Sequence, residues 1–280
     1  MKNPSLLALT LCLMAAPGLA QERQQIWDEA VGGVDTVFIE EMTAGEVAAA
    51  LRSGFTSVIV PTGGIEQNGP HVVTGKHNYV LRATADAIAR RYTHTLVASV
   101  VQFVPEGDID PPSGHMRYPG TISLRQETFE ALLTDVCASL RQHGFTDIFL
   151  IADSGGNQEG IMKVSKRLNS DWADGQTRIH HISEYYTEDA WSLEYLNSLG
   201  YIQDLDSREI IHTDLHYEAI IAVIDPTHVR ADARLEAGEF VVHGVEIASK
   251  DELIELGHRL IDYRTEITVE AMHEAAARRK

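Results

Sequence analysis

The chain has 280 residues, of which 23 are Lys or Arg and 41 are Asp or Glu, so its formal net charge at pH 7 is −18. A surface this acidic repels the phosphates of nucleic acids and the headgroups of anionic membranes. We therefore expect neither a nucleic acid nor a membrane as a partner.

The N-terminus has the pattern of a secretory signal peptide. Lys2 gives it a positive start, an apolar run extends over residues 6–16, and the small residues Gly18 and Ala20 occupy the −3 and −1 positions of a cleavage site. The apolar run is too short to span a bilayer as a stable helix. We expect cleavage after Ala20 and a periplasmic or secreted mature protein that begins at residue 21.

Strand-like and helix-like segments alternate through the rest of the chain. This alternation predicts an α/β fold over residues 21–280, a single layered α/β/α domain with a mostly parallel central sheet. Strands are predicted at 37–39, 58–60, 95–104, 147–152 and 178–183. Helices are predicted to begin at 47, 79 and 126 and, later, to cover about 187–199, 218–224 and 251–277. Capping boxes are predicted at Thr43–Glu46 and at Ser123–Gln126.

Three polar loops follow predicted strands. The first, residues 61–77, combines glycines with carboxylate, amide and imidazole groups, and the second, residues 153–157, repeats much of that composition. The third, residues 105–119, is rich in proline and glycine and is predicted to be a long ordered loop or lid. Loops that follow neighbouring parallel strands gather at one edge of the sheet, so we expect the first two loops, 61–77 and 153–157, to lie there and to form the functional site.

These segments together resemble the creatininase family of metal-dependent amidohydrolases. The resemblance rests on Pro61–His77, on His115–Leu124, on the turn Ala152–Asn157 and on a late segment that begins at Glu218. It implies hydrolysis of a non-peptide C–N bond in a cyclic amide or a related small molecule. It also implies a divalent ion, and a closed homo-oligomer of which the hexamer is common in the family.

The metal-ligand positions of the family are altered in this chain. The family uses a Glu and a His of the first loop, an Asp that closes it and a His of the second turn, and some members add a Glu two residues later. Here Glu66 is kept, whereas Asn68, His77, Ser154 and Gly156 stand at the other positions. Because a zinc site needs about three good protein ligands, a two-metal centre is not expected.

A non-standard site for one zinc or manganese ion remains the main hypothesis. Its predicted ligands are Glu66, His77 and Asp153, and a bound ion would activate water. Ser154 is predicted to act in catalysis by positioning substrate or water, with His115 or His216 as the proton donor. The residues predicted to bind substrate are Asn68, Gly155, Gly156, Asn157 and Tyr185. If the segment before Glu218 is extended, residues 212, 214, 216 and 218 share one face and can add ligands.

Two alternatives remain open. The turn around Ser154 has the small-x-Ser-x-small pattern of a nucleophile elbow, which suggests a metal-free serine hydrolase with His77 or His115 as the base. Alternatively, the protein is a catalytically inactive relative that binds a small ligand beneath the 105–119 loop.

Overall fold

The computed structural model describes residues 34–173, 175–186, 190–202 and 214–278. The predicted signal peptide lies outside these residues, and the domain boundary at residue 21 therefore stays a prediction. None of the described helices combines the length and the apolar character needed to cross a bilayer.

A four-stranded parallel sheet forms the centre of the described structure. Its strands are β1 (Ser57–Thr62), β2 (Thr95–Val97), β3 (Asp147–Ala152) and β4 (Arg178–His181), in the order β2-β1-β3-β4. All three strand pairings are parallel, and Thr62 of β1 pairs with Ala152 of β3. The two strands end side by side, so the loops that follow them leave the sheet at one edge. The predicted fold class is confirmed.

Helices cover both faces of the sheet. In chain order they are α1 (Ala44–Arg52), α2 (Lys76–Tyr92), α3 (Gln126–Gln142), α4 (Gln158–Asp171), α5 (Ala190–Ser198), α6 (Leu215–Ile224), α7 (Ala231–Ala237) and α8 (Lys250–Ala277). A short hairpin pairs β5 (Val241–Val242) with β6 (Val245–Glu246).

Alternation along β1 assigns its side chains to the two layers. Val58 and Val60 pack with α3 and α4 on one face, whereas Ile59 packs with α2 and α8 on the other. A third cluster joins α6 to α2 and α8. Burial on both faces explains why the strands read as continuous apolar runs rather than as alternating ones.

The most consequential difference from the sequence prediction is the start of α2. The helix begins at Lys76, three residues before the predicted start at Tyr79. A polar stretch before an apolar run has the pattern of a loop, but Lys76 and His77 are both buried and face partners inside the protein. These two residues are thereby fixed to a helix rather than to the end of a loop.

Three predicted strands are shorter than the sequence pattern suggested, and one of them is β4, which ends at His181 and not at residue 183. β2 ends at Val97, and Val101 and Val104 continue only as isolated bridges to Thr62 and Ser123. The predicted strand at 37–39 is reduced to one bridge between Phe38 and Val97, followed by a short 3-10 turn.

The two predicted capping boxes have different outcomes. The Thr43–Glu46 box is present, with the Glu46 amide donating to Thr43 Oγ1 over 3.3 Å. The prediction at Ser123 was wrong, because Arg125 precedes α3 and makes no side-chain cap. Ser123 instead accepts a hydrogen bond from the Glu106 amide at 2.9 Å and donates to the Gly107 carbonyl at 2.7 Å. It therefore anchors the start of the 105–119 loop.

Candidate active site

A cavity of about 310 Å³ lies at the edge of the sheet where the three polar loops meet. Six of the residues predicted to act in the site line it: Glu66, His77, His115, Ser154, Gly155 and Gly156. Glu106 from the 105–119 loop also lines the cavity, together with Tyr186 and Tyr217. This arrangement agrees with the prediction that the loops at 61–77 and 153–157 lie together at one edge of the sheet.

His77 lies between two carboxylates at the base of the cavity. Its Nδ1 is 2.8 Å from Asp153 Oδ2, and its Nε2 is 2.8 Å from Glu66 Oε1. Burial and the nearby charge of Lys76 act to lower the pKa of His77, but the two carboxylates outweigh them and raise it to about 9. An imidazolium that donates to both carboxylates is the expected state at neutral pH.

Two further cations balance these carboxylates. The Lys76 ammonium is 3.2 Å from Glu66 Oε1 and lies over the Tyr217 ring, 4.5 Å from its centroid. Arg264 of α8 places Nη1 2.8 Å from Asp153 Oδ1. The sequence analysis missed both residues. A basic residue next to His77, and an arginine among the apolar positions of a long helix, were the available signals.

Glu106 brings a second carboxyl group to the cavity. Its Oε2 accepts a hydrogen bond from Ser154 Oγ over 3.2 Å. Burial, and then the negative charge of Glu66, raise the pKa of Glu106 to about 8, although His77 acts in the opposite direction. Glu106 is therefore expected to be protonated at neutral pH, beside the Glu66 carboxylate. The sequence analysis treated it only as part of the lid.

Two glycines leave room for the segment that carries Glu106. A Cβ at Gly64 would lie 2.0 Å from Glu106 Oε1, and a Cβ at Gly156 would lie 2.1 Å from the Pro105 carbonyl oxygen. Each distance is far below a normal contact, so a side chain at either position would displace the loop. The backbone of Pro105 thus occupies the space that a side chain at position 156 would need.

His115 lies at the mouth of the cavity, with 28% of its side chain exposed. Its Nε2 is 3.3 Å from Glu66 Oε2, on the carboxylate oxygen that His77 does not contact. His115 therefore contacts both solvent and Glu66, and its predicted role as proton donor stays a prediction.

The structure corrects two of the predicted substrate-binding residues. Asn68 is buried and donates to the backbone carbonyls of Glu66 and Val73, at 2.9 and 3.2 Å. Asn157 is also buried and donates to the Gly63 carbonyl at 2.8 Å. Neither amide lines the cavity, so both stabilise the loops around the site instead of contacting a ligand.

Tyr185 and His216 are corrected in the same way. Tyr185 is fully buried, and its hydroxyl lies 2.8 Å from Thr84 Oγ1, while the neighbouring Tyr186 lines the cavity. His216 is 3% exposed and packs against Tyr217 within α6. It is helical rather than part of an extended ligand face, and Tyr217 reaches the cavity in its place.

Asp153 has a supporting position. It is fully buried behind His77 and does not line the cavity. Although burial opposes ionisation, Arg264 and His77 lower the pKa of its carboxyl group. We assign it the role of orienting His77.

Comparisons with known proteins agree with the architecture of the fold. The model of the creatininase family, described as creatinine amidohydrolase, matches residues 40–257. The chain belongs to the creatininase family. This membership, which covers every cavity residue discussed above, confirms the resemblance seen in the sequence.

Curated relatives within and around this family have varied names. The 3-dehydro-scyllo-inosose hydrolase of Thermotoga maritima is 26% identical over 129 residues, which is 46% of this chain and 39% of that protein. The mycofactocin precursor peptide peptidase of Mycobacterium ulcerans is 27% identical over 45% of this chain and 51% of that protein. The creatinine amidohydrolase of Pseudomonas putida is 25% identical over 48% and 50%. The chain spans about half or less of the length of each.

Solved creatininase structures share the fold. A crystal structure of creatinine amidohydrolase has a TM-score of 0.62 at 20% identity, over 86% of this chain and 98% of that one. A mutant creatininase complexed with creatine has a TM-score of 0.61 over the same shares of the two chains, also at 20% identity. Other creatininase structures are described as a Zn-Zn type and as Mn. At these identities the likeness shows the fold.

The residues of this site do not fit a divalent metal ion of the kind named for those structures. Both ring nitrogens of His77 face carboxylates, and Glu66 Oε1 already contacts Lys76. Within the described ranges, no group of three or more His, Cys, Asp or Glu side chains is arranged to hold a metal. The ammonium of Lys76 and the imidazolium of His77 supply positive charge to the Glu66 carboxylate.

Proposed function

We propose that the protein is a hydrolase of a non-peptide C–N bond in a small molecule, such as a cyclic amide or a related compound. Family membership supports the reaction class. The observation that carries the proposal is the pair of carboxyl groups of Glu66 and Glu106, which face one cavity together with Ser154. The cavity lies between loops that follow three strands. A volume of about 310 Å³ suits a small substrate.

The two carboxyl groups have complementary roles in this proposal. Glu66, held ionised by Lys76 and His77, accepts a proton from the attacking water while the oxygen of that water bonds to the substrate carbon. Glu106, held protonated, gives its proton to the departing nitrogen as the C–N bond breaks. Transfer of a proton from Glu66 to Glu106 then restores the starting state, since the two groups are neighbours.

Ser154 and His115 complete the proposed site. Ser154 donates to Glu106 Oε2 and so fixes the orientation of this carboxyl group in the cavity. His115, at the mouth of the cavity, exchanges protons between Glu66 and solvent. No step in this scheme passes through a metal ion. The divalent ion predicted from the resemblance is left to the metal measurements described below.

The serine-nucleophile alternative receives little support from the geometry. Ser154 has φ −120° and ψ 143°, which is ordinary extended backbone and not the strained turn of a nucleophile elbow. Its hydroxyl donates to a carboxyl group, Glu106, and both nitrogens of His77 face other carboxylates. The ligand-binding alternative is kept as an outcome of the activity test.

We also propose that the protein is exported and that it forms a homo-oligomer. Export is supported by the positive start, the apolar run and the small residues before residue 21. Oligomer formation is supported by family membership alone.

The activity test uses the purified mature chain with a panel of small cyclic amides and amidines. We expect turnover by the unaltered protein and a loss of 10²–10⁴-fold, roughly, in kcat for Glu106→Gln, which keeps the shape but cannot donate its acid proton. Glu159→Gln is the matched control, because the Glu159 side chain is 66% exposed on α4. We expect it to keep full activity.

Two results would count against the proposed chemistry. Full activity of Glu106→Gln would remove Glu106 from the mechanism. Binding of panel compounds by calorimetry, without turnover by the unaltered protein, would replace the hydrolase with the ligand-binding alternative.

A further inference from the structure

The Lys76 side chain is an unusual occupant of a protein interior. It is 0% exposed, and lysine is almost never fully buried unless it is paired. Removing an ammonium group from water costs several kcal/mol, roughly, which only close anionic and aromatic partners offset. Glu66 and the ring of Tyr217 are such partners here, at 3.2 and 4.5 Å.

We propose that the Lys76 ammonium is the resident cation of this site and that it replaces a divalent metal ion, so that the protein works without metal. The charge count on the page supports this proposal. Lys76 and Arg264 bring two positive charges to the two buried carboxylates of Glu66 and Asp153. The two carboxylates are thus matched even before the charge of the His77 imidazolium is counted, and a divalent ion would add two uncompensated positive charges to this buried cluster.

The space around Lys76 supports the same conclusion. The amide of Asn68 points away from the cavity to backbone carbonyls, and His77 contacts a carboxylate with each ring nitrogen. A longer side chain at Gly156 is blocked by the Pro105 carbonyl oxygen. The positions that would surround a metal ion are therefore filled by groups that serve other partners.

The groups that face Lys76 come from several elements. They are Glu66 on the first loop, His77 beside it on α2 and Tyr217 on α6. Because Tyr217 presents its aromatic face to the ammonium, the site accommodates a monovalent organic cation better than a small metal ion.

The first test measures metal in the unaltered mature protein. After incubation with Zn²⁺ or Mn²⁺ and dialysis, we expect elemental mass spectrometry to find far less than one ion per chain. The Tm should change by less than about 1 °C on addition of either ion or of a chelator. One tightly held ion per chain, or a Tm that falls with the chelator, would overturn the proposal. The measurement needs no substrate, so its result is independent of the proposed hydrolase activity.

The second test removes the ammonium group. Lys76→Ala should lower the Tm by several degrees and leave a space that methylammonium can enter, so that added methylammonium raises the Tm of this variant but not of the unaltered protein. Lys163→Ala is the matched control, because Lys163 is half-exposed on α4 and pairs with Glu159. If Lys76→Ala has the same Tm as the unaltered protein, the ammonium is not a structural cation and the proposal fails.

A third variant guards against misfolding of Lys76→Ala. Lys76→Met with Glu66→Gln removes both charges and nearly keeps the shapes of the side chains. We expect this pair to be more stable than Lys76→Met alone, because Glu66 in Lys76→Met stays buried without its ammonium partner and shares the His77 imidazolium with Asp153. A pair that is less stable than Lys76→Met would show that Glu66 does not depend on Lys76.

Discussion

The buried ion pair between Arg264 and Asp153 gives the clearest test of how the site is held together. Arg264 Nη1 lies 2.8 Å from Asp153 Oδ1, and the two side chains are 3% and 0% exposed. Arg264 also donates from Nε to the Tyr185 carbonyl at 3.2 Å, and its guanidinium lies over the ring of Tyr185 at 4.2 Å. Replacing Arg264 by Met removes these contacts and takes from Asp153 the cation that His77 does not replace, so that His77 is its remaining ion-pair partner among the described residues.

The expected loss of stability follows from the general cost of breaking a buried pair. Removing one partner of such a pair costs about 3–5 kcal/mol, because the other charge stays buried without compensation. Domains of ordinary stability have a free energy of unfolding of about 5–15 kcal/mol, so Arg264→Met should be folded but only marginally stable. The assay is urea unfolding at pH 7, followed by far-ultraviolet circular dichroism.

A surface pair on the same helix provides the control. Arg278 contacts Glu274 at 3.2 Å with side chains 71% and 62% exposed, so Arg278→Met should change the free energy of unfolding by no more than about 0.5 kcal/mol. Adding Asp153→Asn to Arg264→Met should recover part of the loss, since the buried charge is then gone. A loss below about 1 kcal/mol for Arg264→Met would refute the view that this pair supports the site.

Three further predictions concern pH, the loop of Glu106 and the N-terminus. In a Glu106→Gln background, the free energy of unfolding should fall by roughly 3 kcal/mol between pH 6.5 and pH 9. In the folded protein His77 keeps its proton up to about pH 9, whereas in the unfolded chain it loses this proton near pH 6.5. The Glu106→Gln substitution is needed because the raised pKa of Glu106 would itself lower the free energy of unfolding as the pH rises toward 8. A free energy of unfolding that does not change with pH in urea unfolding would contradict the raised pKa of His77. Gly64→Ala should reduce turnover as strongly as Glu106→Gln does, because its Cβ would lie 2.0 Å from Glu106 Oε1. Gly155→Ala should keep measurable activity, because the nearest atom to its Cβ would be 3.0 Å away. The intact mass of the exported protein should correspond to residues 21–280, and a mass that includes residues 1–20 would contradict cleavage after Ala20.

The fold was predictable because its signals are local. β1 and β3 are apolar runs between loop residues, and β3 covers Asp147–Ala152 as predicted. The longest helix, α8, differs from its predicted bounds by one residue. The ends of strands were less predictable. Val101 and Val104 continue the apolar pattern beyond β2, although the backbone there makes only single bridges.

The site was predictable in its loops and not in its contacts. Glu66, His77 and Ser154 were chosen from the two polar loops, and they do line one cavity. Arg264, however, is 111 positions from Asp153 in the chain, and no local pattern links the two. Glu106 reaches the cavity because Ser123 binds its backbone amide, which is a contact between two loops.

The choice between a surface-facing and a buried amide was also beyond the sequence. Asn68 and Asn157 stand among glycines and polar residues, where an amide that contacts a ligand and an amide that ties the backbone together have the same pattern. Asn157 donates to Thr62 and to Gly63, so it joins the loop after β3 to the loop after β1. Its role follows from the parallel register of the two strands and not from its neighbours in the chain.

The early start of α2 connects the fold to the chemistry. Residues in the first turn of a helix are held by the whole helix, and α2 packs on the sheet through Leu81 and Ile88. Lys76 and His77 are therefore placed with the rigidity of the core, facing Glu66. A metal ion orders a set of flexible loop ligands by binding them, whereas an ammonium on a helix is already ordered before any ligand arrives. On the proposal that Lys76 is the resident cation, this difference explains how the cavity is organised before any ligand binds.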